Sequence, residues 1–185
     1  MSTRYEYLDA LEMLARHRVR FVLIGGVAGN LRGSTTVTQD VDVLYAPDEE
    51  NLERMASALR ELNARLRGAP PEVPFILDAR TLKVGDHFTF ATDAGSLDIL
   101  GHPSGVPGGY EELERASDPI QIASGVTVQV ASIDDLIRMK RAAGRPKDLI
   151  EVEVLGALRD EIDAQAAEER RRRRRAGGTS RAKRR

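Results

Sequence analysis

The sequence predicts an α/β (α+β) fold, a mixed and partly antiparallel sheet with flanking helices, and three observations carry that reading. An apolar run ends at Gly25-Gly26 and gives way to a short helical stretch. A second apolar run, Asp40 to Tyr45, sends two aspartates out of one face. Two alternating runs, His87 to Thr92 and Leu97 to Leu100, are separated by Asp93-Ala94-Gly95-Ser96, which reads as a hairpin.

Each element follows from local pattern. Tyr7, Leu8, Leu11, Leu14 and Ala15 recur at helical spacing and predict an amphipathic helix over residues 4–17. Arg18 to Ile24 is the first strand, Val27 to Leu31 a short helix and Asp40 to Tyr45 the second strand. Leu52, Met55, Ala56, Leu59 and Leu62 mark a helix from about Asp48 to Leu66. A Pro-rich loop covers Gly68 to Pro74, and the hairpin strands follow it. Gly101 to Gly109, rich in Gly and Pro, predicts a mobile loop, and Tyr110 to Ala116 a short helix. Ile120 to Ile122 and Val126 to Val130 form a small strand pair around Ser124-Gly125.

Ser132 and Asp135 make a capping box for the next helix, on which Ile133, Leu136, Ile137 and Lys140 share a face. After Gly144, Pro146 restarts a helix whose Asp148, Val152 and Leu155 line up at i, i+4 and i+7. Lys140 and Asp148 are thus opposite charges on apolar stripes, which predicts that they pair and orient the two helices. The chain reads as a single domain over residues 1–160 and an Arg-rich extension over 161–185, helical and then disordered.

Side chains two apart on a strand point the same way, so Asp40 and Asp42 project side by side. Adjacent carboxylates repel and invite a cation. Magnesium suits them, because it takes one or two carboxylates and completes its shell with water and substrate phosphates; manganese shares that chemistry. Asp98, between Leu97 and Ile99, alternates out of a strand in the same manner. Gly26 opens a helix whose free N–H groups can face a phosphate at close approach. His17, His87 and His102 lack ligand-like spacing.

The order apolar strand, Gly25-Gly26, short helix and Asp40-Val41-Asp42 resembles the nucleotidyltransferase superfamily, the DNA polymerase beta-like fold. Ser132 to Val152 is similar to the C-terminal segment of small stand-alone members, including AbiEii-like toxin nucleotidyltransferases. The resemblance covers roughly residues 20 to 155. It implies a metal-dependent transfer of a nucleoside monophosphate from a nucleoside triphosphate, with Asp40, Asp42 and Asp98 as catalytic residues and metal ligands for Mg2+ or Mn2+. Asp98 would serve either as general base or as a further ligand. The nucleotide would be held at Gly25, Gly26, Ser34, Lys140, Arg145 and Lys147, the three cations facing the triphosphate or the departing pyrophosphate. Arg32 is either a further phosphate contact or a surface residue. Many relatives have an Arg at the position of Thr36. The acceptor implied is tRNA or another RNA, with a cognate toxin or antitoxin protein as a further partner. The alternatives are a non-catalytic or antitoxin-like protein of the same fold, and an enzyme modifying a protein side chain or a small molecule. Antibiotic-modifying relatives would be expected to carry an additional substrate domain.

Composition narrows the field. The chain has 185 residues, no cysteine and a net charge of -1. Residues 170–185 hold 10 of the 28 basic side chains and no acid, which leaves a body of 18 basic and 29 acidic residues, net -11. Such a body is unlike a general nucleic-acid binder, and RNA capture would fall to the tail. A polar N-terminus, absent cysteine and the lack of long apolar runs predict a cytoplasmic protein with no membrane partner.

Overall fold

The computed structural model describes residues 3–38, 40–70 and 75–182. Seven helices and seven strands follow one another along these residues: α1 (Thr3–Arg16), β1 (Phe21–Ile24), α2 (Gly25–Leu31), β2 (Asp40–Tyr45), α3 (Glu49–Glu61), β3 (Arg65–Leu66), α4 (Ala79–Val84), β4 (His87–Thr92), β5 (Gly95–Leu100), α5 (Gly109–Ala116), β6 (Asp118–Ala123), β7 (Val126–Val130), α6 (Ile133–Ala143) and α7 (Pro146–Ala182).

All strands join one sheet in the order β3-β4-β5-β2-β1-β7-β6. The β1–β2, β3–β4, β4–β5 and β6–β7 pairs are antiparallel, whereas β1–β7 and β2–β5 are parallel. The sheet is therefore mixed, as expected. β2 and β1 lie at its centre, and Val22, Leu23, Val43 and Leu44 are wholly buried there. α1 packs on β2, β5 and β7 through Leu11 and Leu14, both fully buried, and α2 lies against β1 and β2. Asn51, also fully buried, ties the start of α3 to the sheet by accepting from Arg20 N and donating to the carbonyls of Arg20 and Ala46. A buried amide with its polar atoms paired fixes one register without a desolvation penalty.

The structure differs from the sequence reading at several places. The first strand begins at Phe21 rather than Arg18, because Arg18 takes a positive φ of 56° that turns the chain out of α1. α3 stops at Glu61, where Asn63 turns at φ 50°, and the residues after it form β3 instead of more helix. α4 is an addition, started by Asp78, whose carboxylate accepts from Thr81 N. Of the Pro-rich loop, residues 71–74 lie outside the described residues.

α6 is capped as expected by Ser132, which accepts from Asp135 N, and ends at Gly144 in the left-handed conformation. α7 continues to Ala182, so the extension expected to be disordered after Arg175 is helical to that point, and residues 183–185 lie outside the described residues. Arg and Ala are good helix formers, and Glu168 accepts from Arg172 one turn on. Among the described residues no helix is long and apolar enough to cross a membrane.

Candidate functional site

The parallel pairing of β2 with β5 sets Asp40 opposite Ser96 and Asp42 opposite Asp98. Residues in register on neighbouring strands share a face. Asp40, Asp42 and Asp98 therefore gather on one side of the sheet, as the strand patterns predict. Asp98 is buried, and Asp40 and Asp42 are half-buried.

Gly25 and Gly26 lie against this cluster. Gly25 adopts φ +67°, and a Cβ there would stand 2.1 Å from Oδ2 of Asp42. A Cβ on Gly26 would meet the side chain of Thr38 at 2.6 Å. Hence the glycine pair makes room for the side chain of Asp42 on β2 and for that of Thr38 in the segment leading into it.

Asp42 carries the strongest electrostatic signature. Burial, then the charges of Asp98 and Asp40, push its carboxyl from 3.8 to about 7, against the pull of Lys140 and Arg145. Burial also raises the Asp98 carboxyl, with Arg67 acting in the opposite direction. No hydrogen bond from a described residue stabilises the Asp42 carboxylate.

Arg67 is the site residue that sequence reasoning missed. One guanidinium nitrogen lies 2.7 Å from Oδ1 of Asp40 and another 2.7 Å from Oδ1 of Asp98. Its backbone N–H donates to the carbonyl of Thr89 at 2.8 Å, and Thr89 pairs in register with Asp98. Arg67, just past β3, thus stands in one row with Thr89 on β4, Asp98 on β5 and Asp42 on β2. The signal was faint, an Arg following a two-residue edge strand.

The three aspartates expected to share a metal do not form a ready ligand set here. Among the described residues no three His, Asp or Glu side chains stand close enough to hold an ion, and Arg67 pairs with both Asp40 and Asp98. Carboxylate oxygens are nonetheless the donor type that a divalent cation takes, and the Arg67 guanidinium shows that two of these carboxylates can share one positive charge.

The expected phosphate-binding cations divide. Lys140 and Arg145 are near enough to act on the Asp42 charge. Both also have local partners: Lys140 pairs with Glu151, and Arg145 donates to both oxygens of Asp148 at 2.6 and 3.1 Å. The expected pair of Lys140 with Asp148 is present, and Arg145 joins it as the nearer partner of the carboxylate. Lys140 and Asp148 are 4.0 Å apart, while Arg145, three residues before Asp148, reaches it through the first turn of α7. Lys147 is exposed on that turn. Ser34 spends its hydroxyl locally, donating to Thr36 Oγ1 at 3.1 Å and accepting from Thr36 N at 3.3 Å.

Arg32 is structural. It donates to the carbonyls of Val130 and Ala131 at 2.7 and 3.0 Å and pairs with Asp118 at 2.7 Å, fastening the end of α2 to the β6–β7 edge.

No protein-family model matches the chain, and no curated protein matches its sequence. Solved structures match its fold. The crystal structure of the lincosamide antibiotic adenylyltransferase LnuA with lincomycin bound aligns with a TM-score of 0.54 at 12% identity, over 83% of this chain and 96% of that one. ANT(2")-Ia in complex with adenylyl-2"-tobramycin aligns with a TM-score of 0.51 at 17% identity, over 89% of this chain and 99% of that one. This chain thus shares the mixed α/β fold of these two transferase structures.

Proposed function

We propose that the protein is a nucleotidyltransferase that moves a nucleoside monophosphate from a nucleoside triphosphate to an acceptor hydroxyl. The observation that carries this reading is the register of β2 and β5, which sets Asp42 opposite Asp98 with Asp40 on the same face. In the reaction the acceptor oxygen bonds to the α-phosphorus, the bond from that phosphorus to the bridging oxygen breaks, and pyrophosphate leaves with the electron pair. Asp40, Asp42 and Asp98 would hold Mg2+ or Mn2+, and a bound ion would supply Lewis-acid stabilisation of phosphate charge and a more acidic acceptor hydroxyl.

The chain's own residues do the rest. Arg67 engages only Oδ1 of Asp98, which leaves its second oxygen for the acceptor's proton. Lys140 and Arg145 place positive charge beside Asp42, where a triphosphate would add negative charge. Gly25-Gly26 admits the phosphates to the start of α2, with Ser34 and Lys147 at the periphery.

A small-molecule hydroxyl is the acceptor that this site suits best. The body is acidic, net -11 over residues 1–169, and attracts a cationic acceptor more readily than RNA. The two fold neighbours described above bear names or ligands of antibiotic adenylylation and match this chain in extent. The second reading, an AbiEii-like toxin acting on tRNA or another RNA, is favoured by Arg170 to Arg175 on α7.

The test is incubation of wild type and Asp42→Asn with magnesium, each α-labelled nucleoside triphosphate, and either aminoglycosides and lincosamides or total tRNA. Label on one acceptor with wild type alone supports the proposal and names the acceptor. Deleting residues 170–185 separates the readings, because only an RNA acceptor should be lost with them. No label, with nucleotide binding also absent, points to a non-catalytic partner protein of the same fold.

A further inference from the structure

Among the described residues, Arg67 is the one cation at the site whose carboxylate partners are the site's own. Lys140 is paired with Glu151, and Arg145 with Asp148. Arg67 instead spans two strands, with one nitrogen on Asp40 and another on Asp98, each at 2.7 Å. A planar guanidinium that donates to two carboxylates fills the space between them and uses lone pairs that a divalent ion would need. The two cations therefore compete for Oδ1 of Asp40 and Oδ1 of Asp98.

The surroundings allow Arg67 to give way. Its side chain is 37% exposed, so leaving opens no core cavity. Its backbone is fixed by the Thr89 carbonyl, so the side chain swings from a constant origin in the same row as Asp98. Once its carboxylates are taken, the strongest acceptors within reach are the phosphates of a nucleotide held by the same ion, and a guanidinium fork suits phosphate as well as carboxylate. A permanent structural bridge has less to recommend it, since β2 and β5, which carry the two carboxylates, are already joined by backbone pairing.

We propose that Arg67 is an exchangeable counter-ion: without nucleotide it bridges Asp40 and Asp98, and when a divalent ion takes those oxygens it turns to the nucleotide's phosphates. This inference rests on the nucleotidyl-transfer reading of the site. It makes Arg67 both a brake on metal binding alone and a contributor to nucleotide binding.

The test uses the full chain as wild type, Arg67→Ala, Arg67→Lys and Asp42→Asn. Mn2+ alone is titrated and free Mn2+ followed by electron paramagnetic resonance, and each nucleoside triphosphate is then titrated at saturating Mn2+. Arg67→Ala is expected to bind Mn2+ on the order of tenfold tighter than wild type and to bind nucleotide on the order of tenfold weaker. Arg67→Lys should show a smaller gain in Mn2+ affinity. A gain of affinity cannot come from misfolding, and the Lys variant keeps the question answerable if the Ala variant does not fold.

Equal or weaker Mn2+ binding by Arg67→Ala and Arg67→Lys, with Asp42→Asn still abolishing it, would overturn the exchange and leave the transfer reading standing. Tighter Mn2+ with unchanged nucleotide affinity would overturn the phosphate half. Mn2+ binding that is absent throughout, or indifferent to Asp42→Asn, would overturn this inference together with the cation site itself.

Discussion

Asp42 and Asp98 face each other in register across the parallel pair β2 and β5, although 56 residues separate them in the chain. The hairpin β4–β5 brings Asp98 there, and the space left by Gly25 lets Asp42 keep its place.

That relationship predicts a sharp glycine effect. Gly25→Ala would place a methyl on Oδ2 of Asp42 from a left-handed backbone position. It should cost about 1–3 kcal/mol of stability and, by displacing Asp42, reduce turnover on the order of a hundredfold. Gly156→Ala, in the interior of α7 with open space around it, should stabilise by about 0.5–1 kcal/mol and leave turnover unchanged. Thermal denaturation alongside single-turnover rates checks both.

The raised carboxyl of Asp42 predicts how stability depends on pH. Its folded value of about 7 exceeds the ordinary 3.8, so between these values the native state keeps a proton that the unfolded chain has lost. That contribution is fully present below pH 3.8, declines as pH climbs and is gone above about 7. Asp42→Asn removes the decline. Urea denaturation in chelator should find the variant more stable than wild type at pH 8, with the difference shrinking toward pH 4.

The buried charge at the start of α7 predicts an asymmetry between partners. Asp148 is 1% exposed, whereas the Arg145 side chain that pairs with it is largely exposed. Arg145→Ala leaves the buried carboxylate with the backbone N–H of residue 145 and with Lys140 at 4.0 Å, and should cost about 3 kcal/mol. Asp148→Asn frees Arg145 into water and should cost less, about 1–2 kcal/mol. Equilibrium denaturation of the two variants tests the order.

Arg32 offers a structural control next to the glycine turn. Its three bonds to Val130, Ala131 and Asp118 join α2 to the far edge of the sheet. Arg32→Ala should lower stability by about 1–3 kcal/mol and leave the KM for nucleotide unchanged. A raised KM with unchanged stability would instead make Arg32 a phosphate contact.

The candidate site was legible in the sequence where a side chain's role follows from its own strand. Alternation alone put Asp40 and Asp42 on one face, and the hairpin signature placed Asp98 on a strand free to dock beside them. Arg67 was not legible, because its role depends on the register of β3 with β4 and on Thr89 lying between it and Asp98. Lys140 and Asp148 were legible as a pair of charges on buried faces, whereas the shorter reach from Arg145 back to Asp148 was not, because it depends on how the first turn of α7 folds. α4 escaped because its one start signal, Asp78 with Thr81, sits beside a Pro-rich stretch without an apolar period.

The most direct measurement follows α-labelled and γ-labelled nucleoside triphosphate in parallel, with magnesium and the acceptor that takes label. Nucleotidyl transfer predicts the α-label on the acceptor and the γ-label in pyrophosphate, both lost in Asp42→Asn. A γ-label on the acceptor, or orthophosphate as the sole labelled product, would contradict the account.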